Sequence, residues 1–417
     1  MLNQLKKINF QKYLSTALVL SSLFNVTLAQ EQQFLVSINA NPIDSDYWWL
    51  NKNNFGIKKN NFDFEASWNL KKNKTVYRMD ISLNSGDRFY INESFIKYNF
   101  SNQTFLRIGK YYRDFSKYLN DEISSGSMLI SHNAESMPKI GIITSRDIKK
   151  SSDIDFQFGI AHGIFEKNEF YDSAPFLHEK FIYMNVKKPN YELSVGFVHE
   201  AIWGGSTFLL GNQPDQIKDF LKVFISADGP LKEGESHANA LGNHLGIWDF
   251  YYQKNIDDYI IKLYYQHFFE DTSGLRFANK WDGLWGIELI NYIPNTNILF
   301  EYIDTTNQYI NPPYVADAYY NHTIYNSGWS YKDYTIGNPF LSHNGINPSK
   351  VVHLGINGPV YHNYFYGIKA SRRINTSDFI KYQLDIKKEI SLNHILNFFV
   401  FNSNKEIGIG LSFSKIF

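Results

Sequence analysis

Beyond the first 29 residues, no apolar run in this chain approaches the roughly 18 residues that a membrane-crossing helix needs. Large apolar residues instead alternate with polar ones, segment after segment. Phe62, Phe64, Ala66, Trp68 and Leu70 alternate with Asp63, Glu65, Ser67 and Asn69, and Tyr77, Met79, Ile81 and Leu83 alternate with Arg78, Asp80 and Ser82. Only Lys71 to Lys74 lie between the two runs, which together read as a hairpin with one apolar and one charged face. The pattern returns in Ile154 to Ile160, Tyr191 to Phe197 and Ile380 to Ile386. A buried soluble sheet rarely tolerates so many charges on its inner face, so strands with one lipid-facing and one wet side fit better. A closed β-barrel is the only way for strands to span a bilayer, because every backbone group must be paired.

Strand candidates fall at 33–40, 62–70, 75–83, 92–100, 104–110, 139–145, 153–161, 179–187, 191–200, 244–253, 258–267, 282–290, 297–304, 351–357, 363–372, 378–388, 393–402 and 405–417, about eighteen in all. Connections after even-numbered strands are short, as in Lys187 to Asn190, Lys254 to Asp257 and Asn291 to Asn297. Several after odd-numbered strands are long: 111–138, 162–178, 201–243 and 305–350. Outer-membrane barrels have this asymmetry, with short periplasmic turns and long extracellular loops, whereas a secreted sandwich or propeller does not predict it. The expected fold is all-β, a transmembrane antiparallel barrel of about eighteen strands with long extracellular loops and a short loop helix. That helix is Pro214 to Phe224, with apolar residues at 217, 220, 221 and 224, expected to pack on or into the barrel mouth.

The ending "IGIGLSFSKIF" sets Ile407, Ile409, Leu411 and Phe413 against Gly408, Gly410, Ser412 and Ser414. Such a strand has a large apolar face and a face of very small groups, and it is read as the strand that seals the barrel at Phe417. Lys415 departs from the apolar face, where a lysine at the periplasmic rim can snorkel to the headgroups.

Lys6, Lys7 and Lys12, the apolar stretch Leu14 to Val26 and the site Thr27-Leu28-Ala29 read as a secretory signal. The division is therefore 1–29 signal peptide and 30–417 barrel. The mature balance of 38 basic against 41 acidic groups argues against nucleic acid as a partner. There are no cysteines, which excludes disulfides, thiolate metal sites and cysteine nucleophiles. Aromatic residues make up 17% of the chain, which suits apolar outer faces and aromatic girdles.

No G-x-S-x-G elbow, P-loop, dinucleotide fingerprint or H-E-x-x-H motif occurs. His237 and His244 lack an acidic neighbour at ligand spacing, so no metal is expected there, and nothing local nominates an activated Ser and His pair, so no enzymatic role is expected. Sugar recognition needs aromatic faces flanked by amide and carboxylate groups, because a pyranose presents an apolar face and hydroxyls together. Trp203 beside Gly204-Gly205, Trp281 beside Asp282, and Trp329 beside Tyr331 with Asn338 nearby are the candidates, with Asp271 and Arg276 of "FFEDTSGLRF" at a loop entrance. The competing reading makes these residues girdle, turn or loop-packing groups.

The loop segments resemble the Wzi family of outer-membrane capsule assembly proteins, particularly its Bacteroidetes members. The resemblance lies in "WLNKNNFG" (49–56), "SSGSMLISHNAESMPKI" (124–140), "FLHEKFIY" (176–183), "HEAIWGGS" (199–206), "LGNHLGIWD" (241–249), "YYQHFFEDTSGLRF" (264–277), "DGLWGIE" (282–288) and "GWSYKDYTIGNPF" (328–340). It implies an eighteen-stranded barrel that acts as a surface lectin, helping to attach exported capsular polysaccharide to the outer membrane without catalysis or cofactor. The founding members also carry a periplasmic helical bundle; residues 41–61 are too few for three helices, so that part is expected to be reduced or absent. Expected partners are capsular or other surface polysaccharide, outer-membrane lipid, and the barrel-assembly machinery through the strand ending at Phe417. The alternative function is a porin or substrate channel, motivated by the charged lumen faces. A lipid-active outer-membrane enzyme is a weaker third.

Overall fold

The computed structural model describes residues 31–40, 56, 62–84, 88–147, 153–230, 239–270, 272–308, 319–345, 348–403 and 406–417. Nineteen strand segments join in one antiparallel sheet. Phe89–Ile91 and Ser94–Asn99 both pair with Thr75–Asn84, so they form one wall strand interrupted at 92–93. The described wall therefore has eighteen strands, as the sequence pattern predicts. In chain order they are β1 Glu31–Ala40, β2 Phe62–Lys72, β3 Thr75–Asn84, β4 Phe89–Asn99, β5 Thr104–Tyr111, β6 Met137–Asp147, β7 Ile154–Ile164, β8 Phe176–Lys188 and β9 Tyr191–Trp203. The second half is β10 Asn243–Ile256, β11 Tyr259–Phe269, β12 Gly283–Ile290, β13 Asn297–Asp304, β14 Lys350–Tyr361, β15 Tyr364–Arg373, β16 Lys381–Ser391, β17 His394–Ser403 and β18 Glu406–Ile416.

Each strand pairs with its chain neighbours, and β1 returns to β18 in the register Leu35↔Ile416 through Ala40↔Leu411. The sheet is thereby closed, and no edge is left to template aggregation. Phe417 takes part in the closure: its N–H donates to Phe34 O at 2.8 Å. The expected parity of connections holds. Short turns follow even strands, as at Asn73, which adopts the left-handed conformation (φ 54°) that asparagine tolerates. The long connections follow odd strands, and their described residues, 112–136, 165–175, 204–230, 239–242, 270, 272–282, 305–308, 319–345 and 348–349, gather at the opposite, long-loop end. Of 41–61 only Gly56 is described, so the expected loss of a helical bundle there lies outside the described residues. Gly56 itself sits at the long-loop end, its N–H donating to Asn133 O at 3.0 Å.

The alternation sorts the two faces of the wall. Ile140, Ile142, Phe158, Ile182, Met184, Leu263, Ile287, Phe300, Leu384 and Phe398 are exposed on the outside, whereas Arg107, Lys139, Glu179, Glu200, Asp249, Gln266, Glu288, Glu301 and His353 are buried inside. The small residues of the last strand now have a reason. In register with β17, Gly408 faces Phe401 and Gly410 faces Phe399, and those two buried rings lie across the glycines in the lumen. A Cβ on Gly408 would stand 2.2 Å from Phe401 Cζ. We expect Gly408→Val to force that ring off its rotamer at a cost of about 1–3 kcal/mol, measurable as a lowered urea midpoint in vesicles, while Ser412→Val is tolerated better. At the rim, Lys415 Nζ lies 4.3 Å from the Phe417 ring centroid, an aromatic anchor at the level where a snorkelling lysine is expected.

Candidate functional site

The lumen holds a folded segment. Residues 112–136, between β5 and β6, turn inward from the long-loop end, and strand side chains take up their polar groups at each step. Asp249 accepts from Ser116 Oγ at 2.5 Å, from Tyr183 OH at 2.6 Å and from Tyr118 OH. Gln266 donates to Ser116 Oγ at 2.9 Å and accepts from the Met128 N–H at 2.9 Å. Further round the wall, Glu288 accepts from Asn120 Nδ2 at 2.7 Å, Glu301 from the Ser125 N–H at 2.5 Å, and Ile123 O meets His353 Nε2 at 2.7 Å. Lys387 reaches Glu122 at 2.7 Å. This explains the charged inner faces. They satisfy the backbone and side chains of a plug, and buried polar groups without such partners cost heavily.

Apolar residues complete the plug. Phe115, Leu119, Ile123, Met128 and Leu129 pack with the inward Tyr183, Val198, Ile247, Tyr264, Leu299 and Val351 in one continuous core. A second segment, 319–345, lies over it as a lid. Trp329 Nε1 donates to Leu129 O at 2.7 Å, Ser131 Oγ to Gly337 O at 2.6 Å, and Asn133 Nδ2 to Thr335 O at 2.9 Å.

This arrangement decides where the sequence candidates sit. Trp329 and Asn338 are 0% exposed and Tyr331 is buried, so all three hold the lid to the plug and present no surface to a glycan. Asn338 Nδ2 donates to Gly126 O at 3.0 Å and its N–H to Tyr320 OH at 2.9 Å. Trp203 is buried on the outside of the wall against Phe176 and Phe220. Trp281 is 64% exposed, but its ring sits 6.0 Å from Trp285, which stacks on Tyr265 at 3.7 Å in an outward aromatic girdle. Arg276 is exposed, and Asp271 lies outside the described residues. His244 meets His199 at 2.8 Å on the outer wall, and His237 lies outside the described residues.

Asp282 is fully buried and acts as a hub between two loops. It accepts from Tyr319 OH at 2.7 Å and from the N–H and Nδ2 of Asn307 at 2.9 and 3.0 Å. Burial pushes its carboxyl up to about 6, against hydrogen bonds that favour the charged form. A carboxyl raised above its unfolded value makes the native chain bind the extra proton, so stability falls as pH rises through the interval between the two values. We expect Asp282→Asn to remove about 2–3 kcal/mol of this dependence, seen as a urea midpoint that no longer declines between about pH 4 and pH 7.

Among the described residues, an open cleft of about 630 Å³ lies at the long-loop end, between the lid, β4 and Gly56. Its walls are Arg88, Tyr90, Glu135, Lys332, Asp333, Tyr334, Thr335 and His343. Glu135 is held by Lys110 at 2.8 Å and Lys332 at 3.0 Å, and Thr335 Oγ1 meets His343 Nδ1 at 2.8 Å. Burial keeps the His343 imidazole below its ordinary value. Aromatic rings beside cations, carboxylates and a hydroxyl, in a concavity of ligand size, suit a sugar chain. Sequence reasoning missed this cleft because its residues come from four separate connections and β4, and Arg88, Tyr90 and Tyr334 have no local pattern that sets them apart.

A family model described as capsule assembly protein Wzi matches residues 29–344. No curated protein matches the sequence. Among solved structures, the chain is similar to Wzi of Escherichia coli, described as an outer membrane protein involved in group 1 capsule assembly and a carbohydrate-binding β-barrel. Identity is 13%, the TM-score is 0.62, and the match covers 96% of this chain and 86% of that one. An engineered porin of Rhodopseudomonas blastica aligns over 93% of this chain and 99% of its own, at 9% identity and a TM-score of 0.40, too slight a likeness to carry an argument.

Proposed function

Because the chain belongs to the capsule assembly protein Wzi family, we propose that it is a non-catalytic outer-membrane lectin that binds exported capsular polysaccharide and helps attach it to the cell surface. In this reading residues 1–29 are a cleaved export signal, the short turns face the periplasm, and the long-loop end faces outward. The observation that carries the reading is a sugar-sized, aromatic and charged cleft on the lid of a barrel whose lumen is filled by its own chain. A wall built for conduction gains nothing from spending Asp249, Gln266, Glu288 and Glu301 on a plug, so the porin alternative is the weaker one. We place the polysaccharide against Arg88, Lys332, Asp333 and Tyr334. The buried Trp329, Tyr331, Asn338 and Asp282 hold the loops that present this surface.

The test is deletion of the gene in its native bacterium, with cell-bound and released polysaccharide quantified separately. Unchanged total polymer with a smaller bound and a larger released fraction supports surface attachment. Unchanged fractions with reduced uptake of small solutes would put the channel in its place.

A further inference from the structure

The loop helix α1, Ile217–Phe224, lies neither in the mouth nor over it. It rests against the outside of the wall. Along β8, Leu177, Glu179, Phe181 and Tyr183 point into the lumen, so His178, Lys180, Ile182 and Met184 point outward, and α1 covers the first two of these. His178 lies 5.4 Å from the Phe220 ring and 5.3 Å from that of Phe224, and His162 on β7 lies 4.9 Å from Phe220. Lys180 sits over the Phe224 ring at 4.4 Å and also donates to Phe224 O. Val223 is fully buried with Ala201 and Trp203.

Residues on an α-helix follow one another at about 100°, and this sorts α1 into three faces. Phe220 and Val223 meet the wall. Ile217, Leu221 and Ile225 form a second stripe beside them, 81%, 58% and 71% exposed. Lys218, Asp219 and Lys222 form the third. Asp219 accepts from the Gln216 N–H at 3.1 Å, which closes the helix start, and Lys222 Nζ donates to Asp228 O at 3.3 Å. A helix that serves only as wall packing needs one apolar face. This one has two, roughly a third of a turn apart, with the cations beyond the second, on the side away from the wall.

The second apolar face adjoins apolar surface already facing outward. One outward step along β8 beyond Lys180, about 7 Å, comes Ile182 and then Met184, with Phe158 on β7 and Leu193 on β9 exposed beside them. That belt is the surface a spanning barrel gives to acyl chains.

We infer that α1 is an in-plane membrane anchor. It is clamped to the barrel wall by Phe220 and Val223, laid on the acyl chains of the adjacent leaflet by Ile217, Leu221 and Ile225, and turned toward headgroups and water by Lys218 and Lys222. Amphipathic helices with a cationic polar face bind bilayers in this way. On a barrel, such a strap fixes the height and tilt of the long-loop end relative to the lipid surface and covers the imidazoles of His162, His178 and His199, which would otherwise face the bilayer edge. The inference rests on the reading that the barrel spans a membrane, and the test separates the two.

The chain has no cysteine, so single thiols can be placed and labelled without other changes. Full-length barrels carrying Ile217→Cys, Leu221→Cys, Lys222→Cys or Ile182→Cys, each bearing an environment-sensitive fluorophore, are reconstituted in phosphatidylcholine vesicles containing acyl-chain nitroxide lipid. Labels at 217 and 221 are expected to be quenched several-fold more by the nitroxide lipid than the label at 222, which aqueous iodide quenches instead. The label at 182 reports the wall itself. If it is lipid-quenched while those at 217 and 221 respond only to iodide, or to neither quencher, the anchor is overturned and the spanning barrel stands. If 182 also escapes the nitroxide lipid, the spanning reading falls and the anchor with it.

Discussion

Replacing residues 113–135 by a short Gly-Ser turn is expected to convert a closed barrel into an open one. Tyr111 and Met137 face each other in register across β5 and β6, so a tight connection can join them without disturbing the wall. The segment removed supplies the partners of Asp249, Gln266, Glu288, Glu301 and Lys387, and it is also the bed on which Trp329 and Asn338 seat the lid. Barrels of roughly 16 to 18 strands enclose an aqueous channel when nothing fills them. In planar bilayers the native chain should be nearly silent, and the shortened one should give steady conductance while keeping its strand signal by circular dichroism. Conductance in the native chain, or silence in the shortened one, would show that the segment is not what closes the lumen.

The second large effect is expected at Lys139. Its Nζ meets Glu179 at 2.8 Å and also donates to Tyr112 O, so a single cation joins β6, β8 and the first residue of the plug. Both side chains of the ion pair are almost wholly buried, and Glu179 faces Glu200 in register across β8 and β9. Removing the cation leaves the Glu179 carboxylate in the interior without a counter-charge, and breaking a buried pair from one side costs about 3–5 kcal/mol. Lys139→Met should therefore lower the urea midpoint sharply, and adding Glu179→Gln should recover most of the loss. Equal stability of the single and double variants would mean that the charge on Glu179 is not what the lysine answers.

The wall was legible because its signal is local. In a strand, faces alternate every second residue, so the pattern from Phe62 to Leu83 requires no knowledge of what lies opposite. The eighteen ranges predicted from such patterns overlap the eighteen wall strands, with the largest boundary shift at 351–357, observed as Lys350–Tyr361, a three-residue slide of 378–388 to Lys381–Ser391, and an interruption in 92–100, where the strand begins three residues earlier. The parity of short and long connections was legible for the same reason. Turn chemistry is local too, as at Asn73.

The candidate site was read less well. Trp329, Tyr331 and Asn338 carry the residue types sugar binding requires, but the same aromatic rings and amides also seat a lid on a plug. What separates the two uses is burial by residues some 200 positions away, such as Leu129 beneath Trp329. α1 makes the same point. Its apolar spacing at 217, 220, 221 and 224 marks a helix, yet which stripe meets protein depends on His162, His178 and Trp203, which three strands bring together. By itself the sequence determined the period-2 wall, the strand count and the asymmetry of the two ends, because these follow from backbone geometry and hydrophobic alternation within a few residues. The tertiary structure alone decided that the charged lumen is a socket for 112–136, that the predicted tryptophans are mostly packing groups, and that an open cleft is built from four connections and β4, because each depends on contacts between segments far apart in the chain.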